Sequence, residues 1–447
     1  MRPLFLKEIR EVTCSKAFWL MMLVLCPLVG YSFVEAVDLY GEASKSVIGE
    51  ELAVSRMAPL DGILVPTFSS LYLVVTFLFP FVAIRILGSE KQFGSLKLLL
   101  QSSASSLTVV TVKAAVLLLF WFFTLIPGLC AIFFWHQLGG HIYLPETVCL
   151  IAGHFLYALL VAAIGLFSVA ITESAQTAAI VTLSFTISSL ILEFAASNPG
   201  AARYLSFLSM TAWLRQFESG IFALPVFLGF LVTAAAFLCL AAVWITPGNF
   251  TSFKLKQSIA VGLVAGALAG LSSNAFWYGD YSEHRRNSFS PAAERALKKL
   301  THPLKMTVHL DPQDSLAIDF EQKVLSRLRR VVRDLTVVYV VPPETEEFGG
   351  TKGQYGLLEF DYASGKTQIG AIGERAVLQV LLSIAGAVYD PEAPSSYPGY
   401  PLDADASSSQ LWFYFVLPLI VLAAWWMTNQ GIKLSYGGKH GEMLQKS

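Results

Sequence analysis

Long apolar runs alternate with short polar segments along this chain of 447 residues. Eight runs are long enough to cross a hydrocarbon core of about 30 Å, which takes about 20 helical residues. The pattern predicts transmembrane helices at Ala17–Ala36, Val65–Ile86, Val109–Trp135, Val148–Ile171, Ala175–Ala195, Ile221–Ile245, Ser258–Trp277 and Leu411–Met427. A polar segment, residues 278–410, separates the last two runs. We therefore expect a polytopic α-helical membrane protein with one external domain.

Composition agrees with this pattern. Hydrophobic residues make up 55% of the chain and charged residues 14%, whereas soluble domains carry about 25% charged residues. The net charge of −1 says little about partners, but the lack of a long basic tract argues against nucleic acid. The cysteines lie in or beside the predicted spans: Cys14, Cys26, Cys130, Cys149 and Cys239. A disulfide framework or thiol chemistry is therefore not expected in the external domain.

Positive charges predict the orientation. With a cytoplasmic N-terminus, the inner flanks would hold Arg2, Lys7, Arg10, Lys16, Arg85, Lys91, Lys97, Lys113, Lys254, Lys256, Lys433, Lys439 and Lys446. The short outer loops would hold Lys45, Arg56, Arg203 and Arg215. This asymmetry predicts that both termini are cytoplasmic and that residues 278–410 are extracytoplasmic. Glu8 and Glu11 before the first span argue against a cleaved signal peptide.

The first 16 residues predict an amphipathic helix on the membrane surface. Its apolar side carries Leu4, Phe5, Ile9 and Val12, and its charged side carries Lys7, Glu8, Arg10 and Glu11. We expect this helix to contact lipid at the inner leaflet.

A polar to amphipathic segment, about residues 88–106, follows the second span and contains Gly88-Ser89-Glu90-Lys91-Gln92-Phe93-Gly94-Ser95-Leu96 and a leucine run. Here the chain resembles the ABC-2 family of ABC transporter permeases, of the nitrous-oxide-reductase maturation and gliding-motility type. The resemblance implies that the segment is a coupling helix that inserts into a cytoplasmic ATPase subunit. It assigns the contacts to Glu90, Lys91, Phe93, Gly94 and Leu96.

A second part of the resemblance lies before the sixth span, in residues 204–209 and 217–221. It implies short re-entrant helices on the outer side. Arg215 and Glu218 are three residues apart, so they can pair on one helix face. The likeness to the permease family covers residues 1 to about 246.

His154 lies in the middle of the fourth span, where an ionisable group is costly and usually faces the bundle interior. Two interpretations stay open. The residue either forms a neutral hydrogen bond between helices or lines a polar, proton-sensing site.

The external segment begins with Tyr281-Ser282-Glu283-His284-Arg285-Arg286-Asn287-Ser288-Phe289-Ser290-Pro291. This stretch resembles the extracytoplasmic part of gliding-motility auxiliary permeases. Ser290 is a suitable N-cap and Pro291 a suitable first residue for a helix to Leu300.

Periodicity beyond that helix predicts a small α/β unit. A strand is expected around Met306–Leu310 and an amphipathic helix over Phe320–Leu335. A second strand follows at 336–341, then a hairpin of 355–362 and 366–370, and a helix over 374–387. The order predicts a parallel unit followed by an antiparallel pair, as in a minimal thioredoxin-like sheet. The segment has no Cys-x-x-Cys motif, which argues against redox chemistry.

The sequence suggests no catalytic site, cofactor site or metal site in this chain. The stretch 349–353 lacks the spacing of a phosphate loop. The histidines of the external segment, His284, His302 and His309, lack metal-ligand spacing. We therefore expect ATP and Mg²⁺ to bind in a partner ATPase rather than here.

The resemblance implies a non-catalytic permease subunit of an ABC exporter in the bacterial inner membrane, working as a homodimer or heterodimer with two ATPase subunits. The alternative is a membrane-anchored scaffold whose external domain recruits a periplasmic or extracellular protein. A secondary transporter is disfavoured, because paired broken helices with midplane charges are missing. The expected parts are residues 1–16 (interfacial helix), 17–246 (six-helix permease domain), 257–277 (seventh span), 278–410 (external domain and linker), 411–428 (eighth span) and 429–447 (cytoplasmic tail).

Overall fold

The structure is a computed structural model, and it describes residues 2–46, 58–101, 105–196, 208–272, 277–300, 302–312, 314–332, 334–340, 355–363, 365–386, 397 and 399–430. Several predicted features lie wholly or partly outside these residues. They are the end of the coupling segment at 102–104, the motif at 204–207, the loop at 349–353, part of the linker after 390 and the tail from 431.

Within the described residues, eight helices are long and apolar enough to cross a membrane. This confirms the predicted number of spans. The helices are α2 (Lys16–Ser46), α3 (Leu60–Gln92), α5 (Ser106–Gln137), α6 (Leu144–Ile171), α7 (Ala175–Ala196), α9 (Leu224–Ile245), α10 (Thr251–Ser272) and α14 (Ser407–Gln430). Shorter helices flank them, namely α1 (Arg2–Thr13), α4 (Ser95–Gln101) and α8 (Met210–Glu218).

The helix α6 lies at the centre of the membrane domain and packs against α3, α5, α7, α8 and α9. Its sequence is almost wholly apolar with many small residues, so neighbouring helices approach it on several sides. The outer helices differ sharply from it. In α10 no residue is buried against the described part of the chain, as expected for a helix that faces lipid.

The predicted sixth and seventh spans begin elsewhere in the structure. Ile221–Ala223 forms a strand, β1, and the helix begins only at Leu224, where Pro225 occupies its first turn. The seventh helix begins at Thr251 rather than Ser258 and is described as far as Ser272. The strand β2 (Tyr278–Asp280) then pairs antiparallel with β1. Pairing with β2 gives the backbone groups of Ile221–Ala223 hydrogen-bond partners outside the helix. Because the partner strand is distant in the sequence, hydrophobic periodicity did not predict this pairing.

The external segment folds around its own hydrophobic core. It contains α11 (Pro291–Leu297), β3 (Leu304–Val308), the helix α12 over residues 315–331, β4 (Leu335–Tyr339), β5 (Leu358–Tyr362), β6 (Gly365–Ile369) and α13 (Glu374–Ile384). The strand order is β4-β3-β5-β6, with β3 parallel to β4 and the other pairs antiparallel. This confirms the predicted parallel unit and antiparallel hairpin.

Details of the predicted elements are corrected. Leu335, expected on the helix face, is the first residue of β4, because α12 ends at Val331. The helix after Ser290 ends at Leu297 rather than Leu300. The Ser290 cap is confirmed, since its hydroxyl accepts a hydrogen bond from the backbone N–H of Ala293.

Candidate functional site

The coupling segment forms a sharp corner at one end of the membrane domain. After α3 ends at Gln92, Gly94 has a φ of +73°, a left-handed conformation that glycine adopts without strain. Leu96 is buried, whereas Phe93 is 84% exposed and Leu98 is 70% exposed. The segment therefore presents two large apolar side chains to its surroundings at the corner between α3 and α4.

Glu90 does not face outward. Its Oε2 lies 2.8 Å from Nζ of Lys113, which itself lies 2.8 Å from Oε2 of Glu8. Lys113 also donates to the carbonyl oxygen of Ile86 at 2.9 Å, and Lys7 pairs with Glu90 from the outside. The side chains of Glu8 and Lys113 have no exposed area. Buried charges persist only when they are paired and hydrogen-bonded, so this cluster joins α1, α3 and α5.

Burial raises the pKa of Glu8 above its ordinary value, although the ammonium group of Lys113 opposes the shift. Carboxylate oxygens of Glu8, Glu11 and Glu90 lie within 4.8 Å of one another. Such a group could in principle hold a cation. The ammonium groups of Lys7 and Lys113 already supply the positive charge, so the residues fit an ion-pair cluster better than a metal site.

Lys91 connects the coupling segment to α6. Its Nζ donates to the backbone carbonyls of Val169 at 2.9 Å, Ala170 at 3.0 Å and Thr172 at 2.6 Å. These carbonyls form the C-terminal end of α6, where helix carbonyls lack intrahelical partners and the helix dipole favours a cation. Lys91 is therefore a helix-capping residue at this end of α6.

The opposite end of α6 is held by the external domain. Oε2 of Glu146 accepts a hydrogen bond of 3.0 Å from the backbone N–H of Glu283 and lies 3.3 Å from Arg286. Glu146 is buried in the first turn of the helix. With 28 residues, α6 is about 42 Å long at a rise of 1.5 Å per residue. One rigid helix thus joins the coupling segment to the external domain.

Glu283 is the centre of that contact. Its carboxylate accepts hydrogen bonds from Tyr400 at 2.8 Å and Tyr397 at 3.1 Å, and it lies 2.8 Å from Nε2 of His141. The rings of His141 and Tyr400 stack with their centroids 3.8 Å apart. Burial opposes the charge, but the hydrogen bonds from Tyr400 and His141 outweigh it and hold the pKa of Glu283 below its ordinary value.

Sequence reasoning gave Glu283 no role. Its partners come from distant parts of the chain: His141 from the α5–α6 connection, and Tyr397 and Tyr400 from the linker before α14. Contacts between such distant residues produce no recognisable spacing in the sequence. The one available signal was the pair of tyrosines, Tyr397 and Tyr400, in a linker otherwise rich in proline and serine.

His154, Arg215 and Glu218 converge at a second polar cluster. Nε2 of His154 lies 3.2 Å from Oε1 of Glu218, close but not aligned as a hydrogen bond. Arg215 donates to Oε2 of Glu218 at 2.6 Å, which confirms the predicted pair. Arg215 also donates to Glu193 at 3.1 Å, a partner that the sequence did not reveal. Burial opposes the charge on Glu218, but His154 and Arg215 keep its pKa below the ordinary value.

The helix α8 that carries this pair packs directly on α6. A Cβ atom at Gly153 would lie 2.3 Å from Cβ of Phe217, so only glycine allows the observed approach. The side chains of His154 and Glu218 are 1% and 2% exposed. The cluster is therefore enclosed between helices, as the sequence led us to expect for His154.

Comparisons with protein-family models, with curated proteins and with solved structures found no match to this chain. Fold and geometry define the class: a polytopic helical membrane protein that carries a small α/β domain between its last two spanning helices.

Proposed function

We propose that this chain is the permease subunit of an ABC transporter of the ABC-2 type, coupling ATP hydrolysis in separate ATPase subunits to export or to mechanical signalling. In this proposal both termini are cytoplasmic, the chain works as a dimer and ATP with Mg²⁺ binds in the partner. In this proposal the chain holds the coupling segment in position and transmits its movement, and it catalyses no reaction.

The observation that carries the proposal is the exposed apolar corner on a rigid base. Phe93 and Leu98 are largely exposed, while Glu90 and Lys91 on the same turn are held by buried ion pairs and by the end of α6. Exposed apolar side chains on a well-anchored short segment are typical of a docking element for another protein. Of the residues that the family resemblance assigns to coupling, Phe93 suits direct contact, Gly94 forms the turn, and Glu90, Lys91 and Leu96 anchor the segment.

The second support is the route from this corner to the external domain. Movement of the coupling segment reaches Lys91, then the end of α6, and at the far end Glu146 and the Glu283 contact. A helix with capped ends moves as one body, because its backbone groups are already satisfied. ATPase closure would therefore shift the external domain as well as the spans.

Replacing both Phe93 and Leu98 with alanine tests the docking role. A partner ATPase co-expressed with this chain should co-purify less, and its permease-stimulated turnover should fall, while thermal stability of the membrane domain stays unchanged. Leu107→Ala is the matched control, because Leu107 is 47% exposed at the start of α5, next to the coupling segment in the chain. Unchanged ATPase recovery and turnover in the double variant would rule out this docking element.

A second candidate function is a scaffold that recruits an envelope protein. The strand β6 lies at the edge of the sheet, most of its residues are exposed, and no strand of the described residues pairs with its outer side, so this edge can accept a strand from a partner. The strand order supports a thioredoxin-like assignment without redox chemistry, which would leave binding as the role of the domain. Loss of partner capture after Thr367→Pro, with ATPase association intact, would favour this function.

The cluster of His154, Arg215 and Glu218 is proposed as a polar lining site next to the re-entrant helix α8. Its enclosure between α6 and α8 means that any separation of these helices during the cycle would expose two paired charges. The cluster would thus hold α6 and α8 together until the coupling segment moves.

A further inference from the structure

A cavity of about 240 Å³ lies between α1 and α3, beside the buried ion cluster. Glu11 and Ser15 line it from the side of α1, and Arg85 and Ser89 line it from α3. The remaining wall is mostly apolar. The cavity is too small for acyl chains and is the size of a compact polar group.

Groups of opposite charge, Glu11 and Arg85, lie at this cavity, and the one ion-pair partner of Glu11 among the described residues is Lys7, whose Nζ lies 3.7 Å from its Oε1. Oγ of Ser15 and Oε2 of Glu11 are shielded from solvent and accept no hydrogen bond from the described residues. Arg85 is exposed and has no acidic partner in the part of the chain that the structure describes. Buried polar atoms are nearly always hydrogen-bonded. A group that pairs with Ser15, Glu11 and Arg85 together would offer both a cationic donor and an anionic acceptor.

In the topology proposed above, the cavity would lie at the depth of lipid headgroups. The helix α3 has 33 residues, about 50 Å, and so extends well beyond a hydrocarbon core of about 30 Å. Phe81, Arg85 and Ser89 are spaced four residues apart, so they form one stripe along the helix. Phe81 is 45% exposed. Along this stripe an apolar side chain, Phe81, is followed by a cation, Arg85, and a hydroxyl, Ser89. A lipid offers the matching groups in the same order, an acyl chain followed by a phosphate.

We propose that this cavity binds the headgroup of a zwitterionic phospholipid that carries a primary ammonium group. Arg85 and Ser89 would bind the phosphate, and Glu11 would accept a hydrogen bond from the ammonium group. An anionic headgroup without an amine would be repelled by Glu11, and a quaternary ammonium has no N–H to donate. The site is independent of the proposed permease function, since it needs only the membrane location of α1 and α3.

Native mass spectrometry of the full chain tests the proposal, after detergent extraction and addition of equal amounts of phosphatidylethanolamine, phosphatidylglycerol and phosphatidylcholine. The ethanolamine lipid should be retained about tenfold over the others, the effect of one charge-assisted hydrogen bond. Inorganic phosphate with free ethanolamine, added as a separate arm, should not compete. Equal retention of the three lipids, preference for the glycerol lipid, or competition by phosphate would overturn the proposal.

Two variants locate the contacts. Glu11→Gln should remove the preference for ethanolamine over choline, and Arg85→Gln should lower the retention of all three lipids. Glu173→Gln and Lys97→Gln are the matched controls, since both residues are exposed and lie close in sequence to the ends of α6 and α3. If Arg85→Gln does not fold, Ser89→Ala tests the phosphate contact instead. An unchanged preference in Glu11→Gln would refute the assignment of the ammonium site.

Discussion

Nζ of Lys113 lies 2.8 Å from Oε2 of Glu8, although the residues are 105 positions apart and neither side chain is exposed to solvent. The pair fixes the N-terminal helix α1 against α5, and Glu90 extends the contact to α3. The coupling segment therefore begins at a point where three helices are tied together.

Removing Lys113 should be strongly destabilising. Lys113→Met leaves the buried carboxylates of Glu8 and Glu90 with only the half-exposed Lys7 as counter-charge, and we expect a loss of about 3–5 kcal/mol in unfolding free energy. Thermal and denaturant unfolding of the purified chain measure it. Lys97→Met, on the exposed side of the coupling segment, should change stability by less than about 0.5 kcal/mol.

The pH dependence of that variant gives a second check. The pKa of Glu8 is raised in the folded protein, so its titration favours the folded state in acid and this contribution is lost as the pH rises through the raised value. Without the ammonium group of Lys113, the pKa of Glu8 should rise further. The stability deficit of Lys113→Met should therefore shrink as the pH falls from 8 to 5, and a deficit independent of pH would contradict this account.

Glu283→Gln should loosen the contact between the external domain and α6. The amide keeps the shape but loses the charge that accepts bonds from Tyr400, Tyr397 and His141, a loss of about 1–3 kcal/mol. Limited proteolysis between α13 and α14 should become faster. Glu359→Gln, on the external sheet and away from this contact, is the control.

The same contact has a predicted pH profile. The pKa of Glu283 is held below its ordinary value of 4.5, so its contribution is present above pH 4.5 and is lost as the pH falls through the lowered value. Protection from proteolysis should decline on acidification in the native chain and much less in Glu283→Gln. Equal decline in both would show that another group controls the contact.

Gly153→Ala should separate α8 from α6. The new Cβ would overlap Phe217, and we expect a cost of about 1–3 kcal/mol with a weakened contact between His154 and Glu218. Gly262→Ala is the control, since nothing lies within 4 Å of a Cβ there. A stability loss no larger in Gly153→Ala than in Gly262→Ala would contradict direct packing of α8 on α6.

Orientation can be tested with single cysteines at two exposed lysines in a cysteine-free chain. Lys97→Cys and Lys366→Cys are both accessible, so only the side of the membrane decides their reaction with an impermeant maleimide. We expect labelling of Lys366→Cys in intact cells and of Lys97→Cys only after the membrane is opened. The reverse pattern would invert the proposed topology.

The sequence by itself determined the features that depend on short-range patterns. Apolar runs of about 20 residues are visible without tertiary information, because a bilayer demands them. The alternation in β3 and the helical period of α12 likewise reflect local geometry. The pair of Arg215 and Glu218 was predictable because residues three apart share a helix face.

Only the tertiary structure decided which side chains of the coupling segment point inward. Glu90 and Phe93 are three residues apart, yet one is buried in an ion cluster and the other is largely exposed. Lys91 faces the end of α6, and Glu283 meets residues from two distant connections. These partners are more than 75 positions apart in the chain. The fold brings them together because each buried charge must find a counter-charge or a carbonyl wherever packing places one, and no local period encodes that position.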